Sequence, residues 1–440
     1  MLRIERLGPA ELSVLGVDGV AARLRSLVPD AASVEVAVSG IVERVRADGD
    51  DAVLEYTRRF DTDGADPLPL LVTPGALDAA IQTLALDVVA GLQVAVANVA
   101  EVAQLGVQED GQAILSQGHR IRVREIPVRS AAVYVPGGRA PYPSTVVMGV
   151  VTARAAGVLE VAVCSPPGPD GDIHPTVLGA CRLCGVSTVY RMGGAQAIAA
   201  LAHGTATVTQ VDVVVGPGNL YVQEAKRQLS HVVGIDGFAG PSDLLVVLAD
   251  DADPHLAALD LLAQAEHGAD SLVGALSPSP ELLADLEAEL GRIAASFPDL
   301  PRAPCALVTT PDLRRAVDVA NAFAPEHLQL VGGEAEALAH AVQSAGCLFI
   351  GAASATAFGD YVAGSNHVLP TGGAAHFASG LSPRHFRRRM AEVHIGDAAT
   401  RLAAAGAPIA RAEGFELHAE SMEARASPPA VTPLRDNGGP

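Results

Sequence analysis

Residues 131–164 read AAVYVPGGRAPYPSTVVMGVVTARAAGVLEVAVC. Two apolar runs, AAVYVP and LEVAVC, enclose a loop rich in Gly and Pro and a stretch of helical length. Continuous apolar runs of five or six residues alternating with helices are the pattern of strands buried on both faces, which a parallel sheet covered by crossover helices provides. The theme continues at STVYRM (187–192) and VDVVVG (211–216). A second series follows at LLVVLA (244–249), SLVGAL (271–276), CALVTT (305–310), HLQLVG (327–332) and CLFIGA (347–352). The expected fold class is α/β, with two Rossmann-like halves built from incomplete parallel-sheet βαβ units over about 130–240 and 241–380. Working outward, the first 105 residues or so read as helical. ASVEVAVSGIVERVRADG (32–49) repeats apolar residues at helical spacing, and the stretch from 73 to 104 opens with Thr73 at an N-cap and Pro74 at the first helical position. GHRIRVREIPV (118–128) alternates like a short strand, and beyond 385 the Arg- and Ala-rich chain reads as helical.

The bulk composition narrows the function. A chain of 440 residues is too long for one core and predicts two sizeable domains. With 49% hydrophobic and 18% charged residues it has ample material for burial. A formal charge of -20 repels nucleic acid and anionic membrane surfaces, so neither is expected as a partner. The opening MLRIERLGPAELSVLG has charge and proline where a signal peptide needs an apolar stretch. The uncharged stretches 192–211 and 361–383 carry too much Gly, Thr, His, Asn or Pro to read as membrane spans. Five scattered cysteines do not make a disulfide framework, and a cytoplasmic location is the expectation. Cys181 and Cys184 form a lone CxxC in PTVLGACRLCG, where packing of small residues in a helix is favoured over redox or metal chemistry. Lys226 is the only lysine. It lies mid-helix in EAKRQ and fits neither a Walker phosphate loop nor a Schiff-base pocket.

Open parallel sheets bind ligands beyond the carboxyl ends of their strands. VYVPGGRAPYPST (133–145), MGGAQAIAALAHGT (192–205) and VVVGPGNLYVQEA (213–225) each place glycines between a strand end and a helix start, where free N–H groups face an anion. None completes GxGxxG, and any one alone is equally a tight turn; three in succession point to a dinucleotide or similar anion. Gln264 and His267 sit three apart at a helix end and leave the same face. With Asp360 in a Gly-rich loop and His418 near the C-terminus they make a mixed N/O donor set suited to zinc or a neighbouring divalent ion, although a helix-end Gln–His pair is more often solvated. Glu326 and His327 stand side by side before a strand. A carboxylate beside an imidazole can divide labour, one activating water and the other moving protons; a surface pair would look the same in sequence.

Taken in order, VYVPGGRAPYPST, GGAQAIAALAHGT, VGPGNLYVQEAKRQ, IDGFAGPSD, LLAQAEHG, APEHL, GDYVAGSNHVLPT, HFASGLSP and EGFELHAE resemble the histidinol dehydrogenase family over about 130–420. The resemblance implies a zinc-dependent, two-step, four-electron oxidation of L-histidinol through bound L-histidinaldehyde to L-histidine with two NAD, the last step of histidine biosynthesis. It implies one zinc ion per subunit on Gln264, His267, Asp360 and His418, and NAD contacts at Tyr134, Gln196 and Asn219. Substrate contacts would be Ser242, Gln264, His267, His327, Asp360, Glu413 and His418, with Glu326 and His327 as the acid–base pair. It further implies a homodimer in which a C-terminal helical segment, 385–425, is exchanged between subunits. The domains expected are a helical segment at 1–30, a discontinuous α/β domain of 31–129 and 241–384 with most metal and catalytic residues, a cofactor-side domain at 130–240, and a disordered tail at 426–440. Departures are small: Asp243 stands where the family commonly has Glu, Phe323 and Ala324 precede PEHL, and His376 occupies a usually basic or polar position. Two other readings stay open. One is a different small alcohol as substrate; the other is a zinc hydrolase or a binding module without catalysis.

Overall fold

The computed structural model describes residues 2–28, 33–137, 140–238 and 240–426. They fall into two compact units, the described residues of Met1–Val107 with Pro127–Phe386, and those of Gln108–Ile126 with Arg387–Pro440. In chain order the strands begin with β1 (Arg3–Leu7), β2 (Gly111–Ile114) and β3 (Arg120–Pro127). Next come β4 (Ser130–Tyr134), β5 (Glu160–Ser165), β6 (Thr188–Arg191), β7 (Val213–Val215) and β8 (Gly234–Ile235). Then follow β9 (Asp243–Leu248), β10 (Leu272–Ser277), β11 (Pro304–Thr309), β12 (His327–Val331), β13 (Cys347–Ile350) and β14 (Arg387–His394).

The first unit holds both parallel sheets. One has the order β6-β5-β4-β7-β8 and the other β1-β11-β10-β9-β12-β13. Apart from β1, each series runs third, second, first, fourth, fifth, the strand order of a Rossmann fold with its last strand missing. The two-faced burial read from the apolar runs is present. Ala131, Val133 and Val135 enter one core while Ala132 and Tyr134 enter the core on the opposite face. In the second sheet Leu244, Val246 and Leu248 alternate with Leu245 and Val247 in the same way. Alternation of side chains along a strand requires this when both faces are covered.

Three expectations are corrected. The segment 1–30 is not helical throughout: residues 3–7 form β1, which pairs parallel with β11 from Arg3 against Pro304 to Leu7 against Val308. An open sheet edge offers unpaired backbone groups, and this strand fills it while burying Leu2 and Leu7. The region 31–129 does not accompany 241–384 alone: Leu92, Ala95 and Val99 share a core with Val362, Val368 and Leu381 of that stretch, and also with the β4–β8 sheet. Val38, Ile41 and Val45 pack on one face of the β4–β8 sheet and Leu92, Ala95 and Val99 on the other, because that sheet's own crossover helices leave apolar surface uncovered. The helix Leu86–Leu105 is long and apolar enough to cross a membrane by length and composition, yet Leu92, Ala95, Val99 and Ala103 are buried against this core. Finally, 385–425 opens with a strand: RRRMAEVH is β14, in one sheet with β3 and β2. Alternation along 387–394 outweighs the helix-forming arginines once an unpaired neighbouring strand is present.

The second unit consists of that three-stranded sheet and the helices Ala399–Ala412 and Glu416–Ala426. The helices pack through Ala407, Ala410 and Ala419, with Met422 beside them, and Arg411 ties Glu416 and Glu423. Of the tail expected at 426–440, Ala426 ends the last helix and the remainder lies outside the described residues.

Close approach of helix and sheet is most demanding at Gly149, in the helix Pro143–Ala155, where an added Cβ would lie 2.5 Å from Val133 Cγ1. Gly149→Leu is expected to lose about 1–3 kcal/mol through overpacking, read as a lowered melting temperature.

Candidate active site

The two sheets meet across a cleft in opposite senses. The first sheet presents the carboxyl ends of its strands: Tyr134 ends β4, and Gly218 and Asn219 follow β7. The second presents amino ends: Ser242 precedes β9, and Glu326 and His327 stand at the start of β12, with His327 in register with Leu244 and Cys347. The carboxyl-end rule therefore holds for the first sheet and fails for the second. The cleft has a volume of about 480 Å³ and is also lined by His267, Asp360 and His367. A larger cavity of about 1110 Å³, lined by Gln196 and Asp61, shares Tyr134, Gly137 and Asn219 with it.

Glu326 is buried, and its Oε2 accepts hydrogen bonds from the Ser242 hydroxyl and, at 3.1 Å, from the Asp243 N–H. Gln264 Nε2 donates to Ser242 Oγ at 2.6 Å, so the hydroxyl is held at both ends. Asp243 Oδ1 accepts the Glu326 N–H at 2.6 Å, and Arg25 pairs with Asp243 Oδ2 at 2.7 Å. Burial pushes the Glu326 carboxyl up to about 7, against the pull of His327. His327 lies between two carboxylates, its Nδ1 3.7 Å from Glu326 and its Nε2 3.7 Å from Asp360. Burial alone would lower this imidazole; Asp360 and Glu326 outweigh it and hold the ring above its ordinary value. Nδ1 of His327 is buried without a hydrogen-bond partner.

Asp360 does not lie in a loop but in the short helix Thr356–Tyr361. Burial works against its charge, yet His327 holds it below the usual carboxylate range. His267, one residue past the C-cap of the helix Pro254–Ala265, is lowered by burial and stays neutral. A neutral imidazole and an ionised carboxylate are the forms that bind a metal, and with the Gln264 amide they suit a borderline divalent ion. Among the described residues no three His, Cys, Asp or Glu side chains converge as a ready-made cage. Of those types, the expected set places only His267 and Asp360 in this unit. Glu413, the C-cap of its helix, and His418, with its ring 5.1 Å from Phe415, belong to the second unit.

On the first sheet, Asn219 caps the helix Leu220–Leu229, its Oδ1 accepting from Tyr221 N and Val222 N, which leaves its NH₂ available. Gln196 Nε2 is buried at the wall of the larger cavity with no partner, and Tyr134 Oη accepts the Gly194 N–H at 3.1 Å. Donors left open around a cavity beside a helix start suit a polar, anionic ligand.

Several supporting residues carry no signal of their own in the sequence. His367 Nδ1 lies 2.9 Å from the Asp360 carbonyl, which can only accept, so Nδ1 carries the proton; burial keeps the ring neutral, and Nε2 accepts from Thr145 Oγ1 at 3.1 Å. Asn98 Nδ2 donates to Val362 O at 2.7 Å and fixes the same segment from the Leu86–Leu105 helix. Arg25 reaches Asp243 across about half of the chain. His367 falls inside GDYVAGSNHVLPT; the other contacts are long-range and leave no spacing to read. The Cys181 and Cys184 thiols are buried and pushed up by burial, as packing residues are.

Glycine-led loops facing a buried acid–base pair across a cleft are the parts of a nucleotide-dependent oxidoreductase. The sequence profile of the histidinol dehydrogenase family matches residues 25–426. The chain is 44% identical over 407 residues to a histidinol dehydrogenase of Thermus thermophilus, covering 89% of this chain and 95% of that one. It is 42% identical over 402 residues to the enzyme of that name from Synechococcus sp., covering 89% and 92%. The fold superimposes on histidinol dehydrogenase from Elizabethkingia anophelis with a TM-score of 0.88 at 28% identity, over 96% of this chain and 98% of that one. The chain belongs to the histidinol dehydrogenase family and is an NAD-dependent oxidoreductase.

Asp61, at the rim of the larger cavity, has a carboxyl raised by burial from 3.8 to about 7. A carboxyl raised on folding stabilises the native state below its unfolded pKa and loses that contribution as pH rises through 7. Asp61→Asn should therefore melt higher than the parent at pH 8, with the difference shrinking toward pH 4; a pH-independent difference would contradict this assignment.

Proposed function

We propose that the protein is a zinc-dependent histidinol dehydrogenase that oxidises L-histidinol through bound L-histidinaldehyde to L-histidine with two NAD, in the cytoplasm, as the last step of histidine biosynthesis. The observation that carries the reading is the buried Glu326–His327 pair, with Glu326 raised to about 7, facing the loops of Tyr134 and Asn219 across one cleft. Family membership supplies the substrate class.

Gln264, His267, Asp360 and His418 would hold zinc. When bound, the metal supplies orientation of the substrate's nitrogens, and the nicotinamide, held by Tyr134, Gln196 and Asn219, accepts the hydride in each oxidation. His327 removes the hydroxyl proton in the first oxidation. Glu326 beside it favours the protonated ring, so the proton has a stable place to rest. In the second oxidation Glu326 activates the water that adds to the aldehyde, and His327 deprotonates the diol. A carboxyl near 7 is matched to that task at neutral pH. Ser242, Gln264, His267, His327, Asp360, Glu413 and His418 would contact substrate.

The test follows NADH formation on adding histidinol or histidinal to the zinc-loaded protein. Glu326→Gln should slow aldehyde oxidation by about 10²–10⁴-fold while affecting alcohol oxidation far less. Equal losses in both halves would give Glu326 a binding or structural role. No NADH with either compound would leave the hydrolase or the binding module as the reading.

Glu413 and His418 complete the proposed substrate set from the second unit, and we read the protein as a homodimer whose C-terminal segment serves the partner's site. His267→Ala and His418→Ala, each inactive alone, should regain roughly a quarter of normal activity when unfolded and refolded together, since one site of a mixed dimer is then intact. A dead mixture containing verified mixed dimers would place the segment in its own subunit.

A further inference from the structure

Lys226, the only lysine of the chain, lies in the helix Leu220–Leu229 with its side chain 1% exposed. Its Nζ donates to Gly216 O at 2.5 Å and to Asp236 Oδ1 at 2.7 Å. Asp236 Oδ2 accepts the Gly216 N–H at 2.7 Å. The buried pair thus holds both backbone polar groups of a single residue. Gly216 has φ +117°, and an added Cβ would lie 2.1 Å from the Tyr134 carbonyl oxygen, so its peptide is pressed against the end of β4. From Gly216 the chain passes through Pro217 and Gly218 to Asn219, and the last three line the cleft.

A buried ion pair is a weak source of net stability, because desolvation offsets the attraction. The pair here is spent on fixing one peptide instead. The choice of lysine follows: every other one of the 30 Lys and Arg residues is arginine, but a carbonyl and a carboxylate at one buried point suit a compact three-donor ammonium and not a planar fork. We propose that Lys226 and Asp236 are positioning residues for the cofactor: they set the Gly216–Asn219 loop, and through it the Asn219 amide, for NAD. This rests on the reading of Asn219 as an NAD contact.

The experiment uses the full-length, zinc-loaded enzyme. Lys226→Met with Asp236→Leu removes both charges at similar volume, which buried pairs tolerate. Losing the charged hydrogen bonds to the loop should raise KM for NAD about tenfold or more while leaving KM for histidinol nearly unchanged, and the orphaned Gly216 N–H and C=O should lower the melting temperature. Adding Asn219→Ala to this variant should cost much less than Asn219→Ala costs the parent, because both changes disable one contact. An unchanged KM for NAD in the folded double variant overturns the proposal, as do fully additive effects. Asn219→Ala alone reads the underlying assignment: no change in KM for NAD there would remove the cofactor contact, and the proposal with it. If the double variant does not fold, Lys226→Gln with Asp236→Asn tests the same point without leaving one buried charge unpaired. It weakens the hold on the Gly216 peptide, and an unchanged KM for NAD would again refute the role.

Discussion

Glu326 carries a carboxylate into a site nearly closed to water, and much of the local architecture answers the cost of burying it. A buried charge without donors is expensive, whereas one that receives hydrogen bonds and faces a cation is tolerable. The Ser242 hydroxyl and the Asp243 N–H supply the donors, and His327 supplies the neighbouring positive charge. Both donors come from the start of β9, the strand paired in parallel with β12. Register alone therefore sets the distance between the carboxylate and its partners. The same register carries His327 to the amino edge of the sheet, where Asp360 meets its other nitrogen.

Two halves with the same strand order are put to different uses. The first half offers helix starts and glycine turns at its carboxyl edge, the arrangement that suits phosphates. The second half turns its amino edge toward the same cleft, so that chain entering β9 and β12 brings side chains instead of open N–H groups. Backbone donors on one wall and titratable side chains on the other separate binding from proton traffic.

The strands were legible because a strand covered on both faces must be apolar along its length, as LLVVLA and VDVVVG are. The grouping of Glu326 with His327 was legible from adjacency, and Gln264 with His267 from helical spacing. RIERL carries no strand signal of its own, since only a free edge contributed by residues 304–308 makes it one. RRRMAEVH is a strand for the same reason: its neighbour β3 lies far back in the chain. The support of the site has no local signal on similar grounds. Arg25 at Asp243, Asn98 at Val362 and Thr145 at His367 are single contacts across long loops, and a lone residue has no periodicity.

The edge strand β1 also bears on how the chain assembles during synthesis. It is made before its partner β11, which begins at Pro304. Until about 300 residues have followed, β1 has no strand to join and must keep Leu2 and Leu7 from other surfaces. Arg25 waits as well, for Asp243 and then for the carbonyls of Phe323 and Ala324. The first half can close around its own strands well before that point. The strand is thus made about 300 residues ahead of the partner that gives it its place.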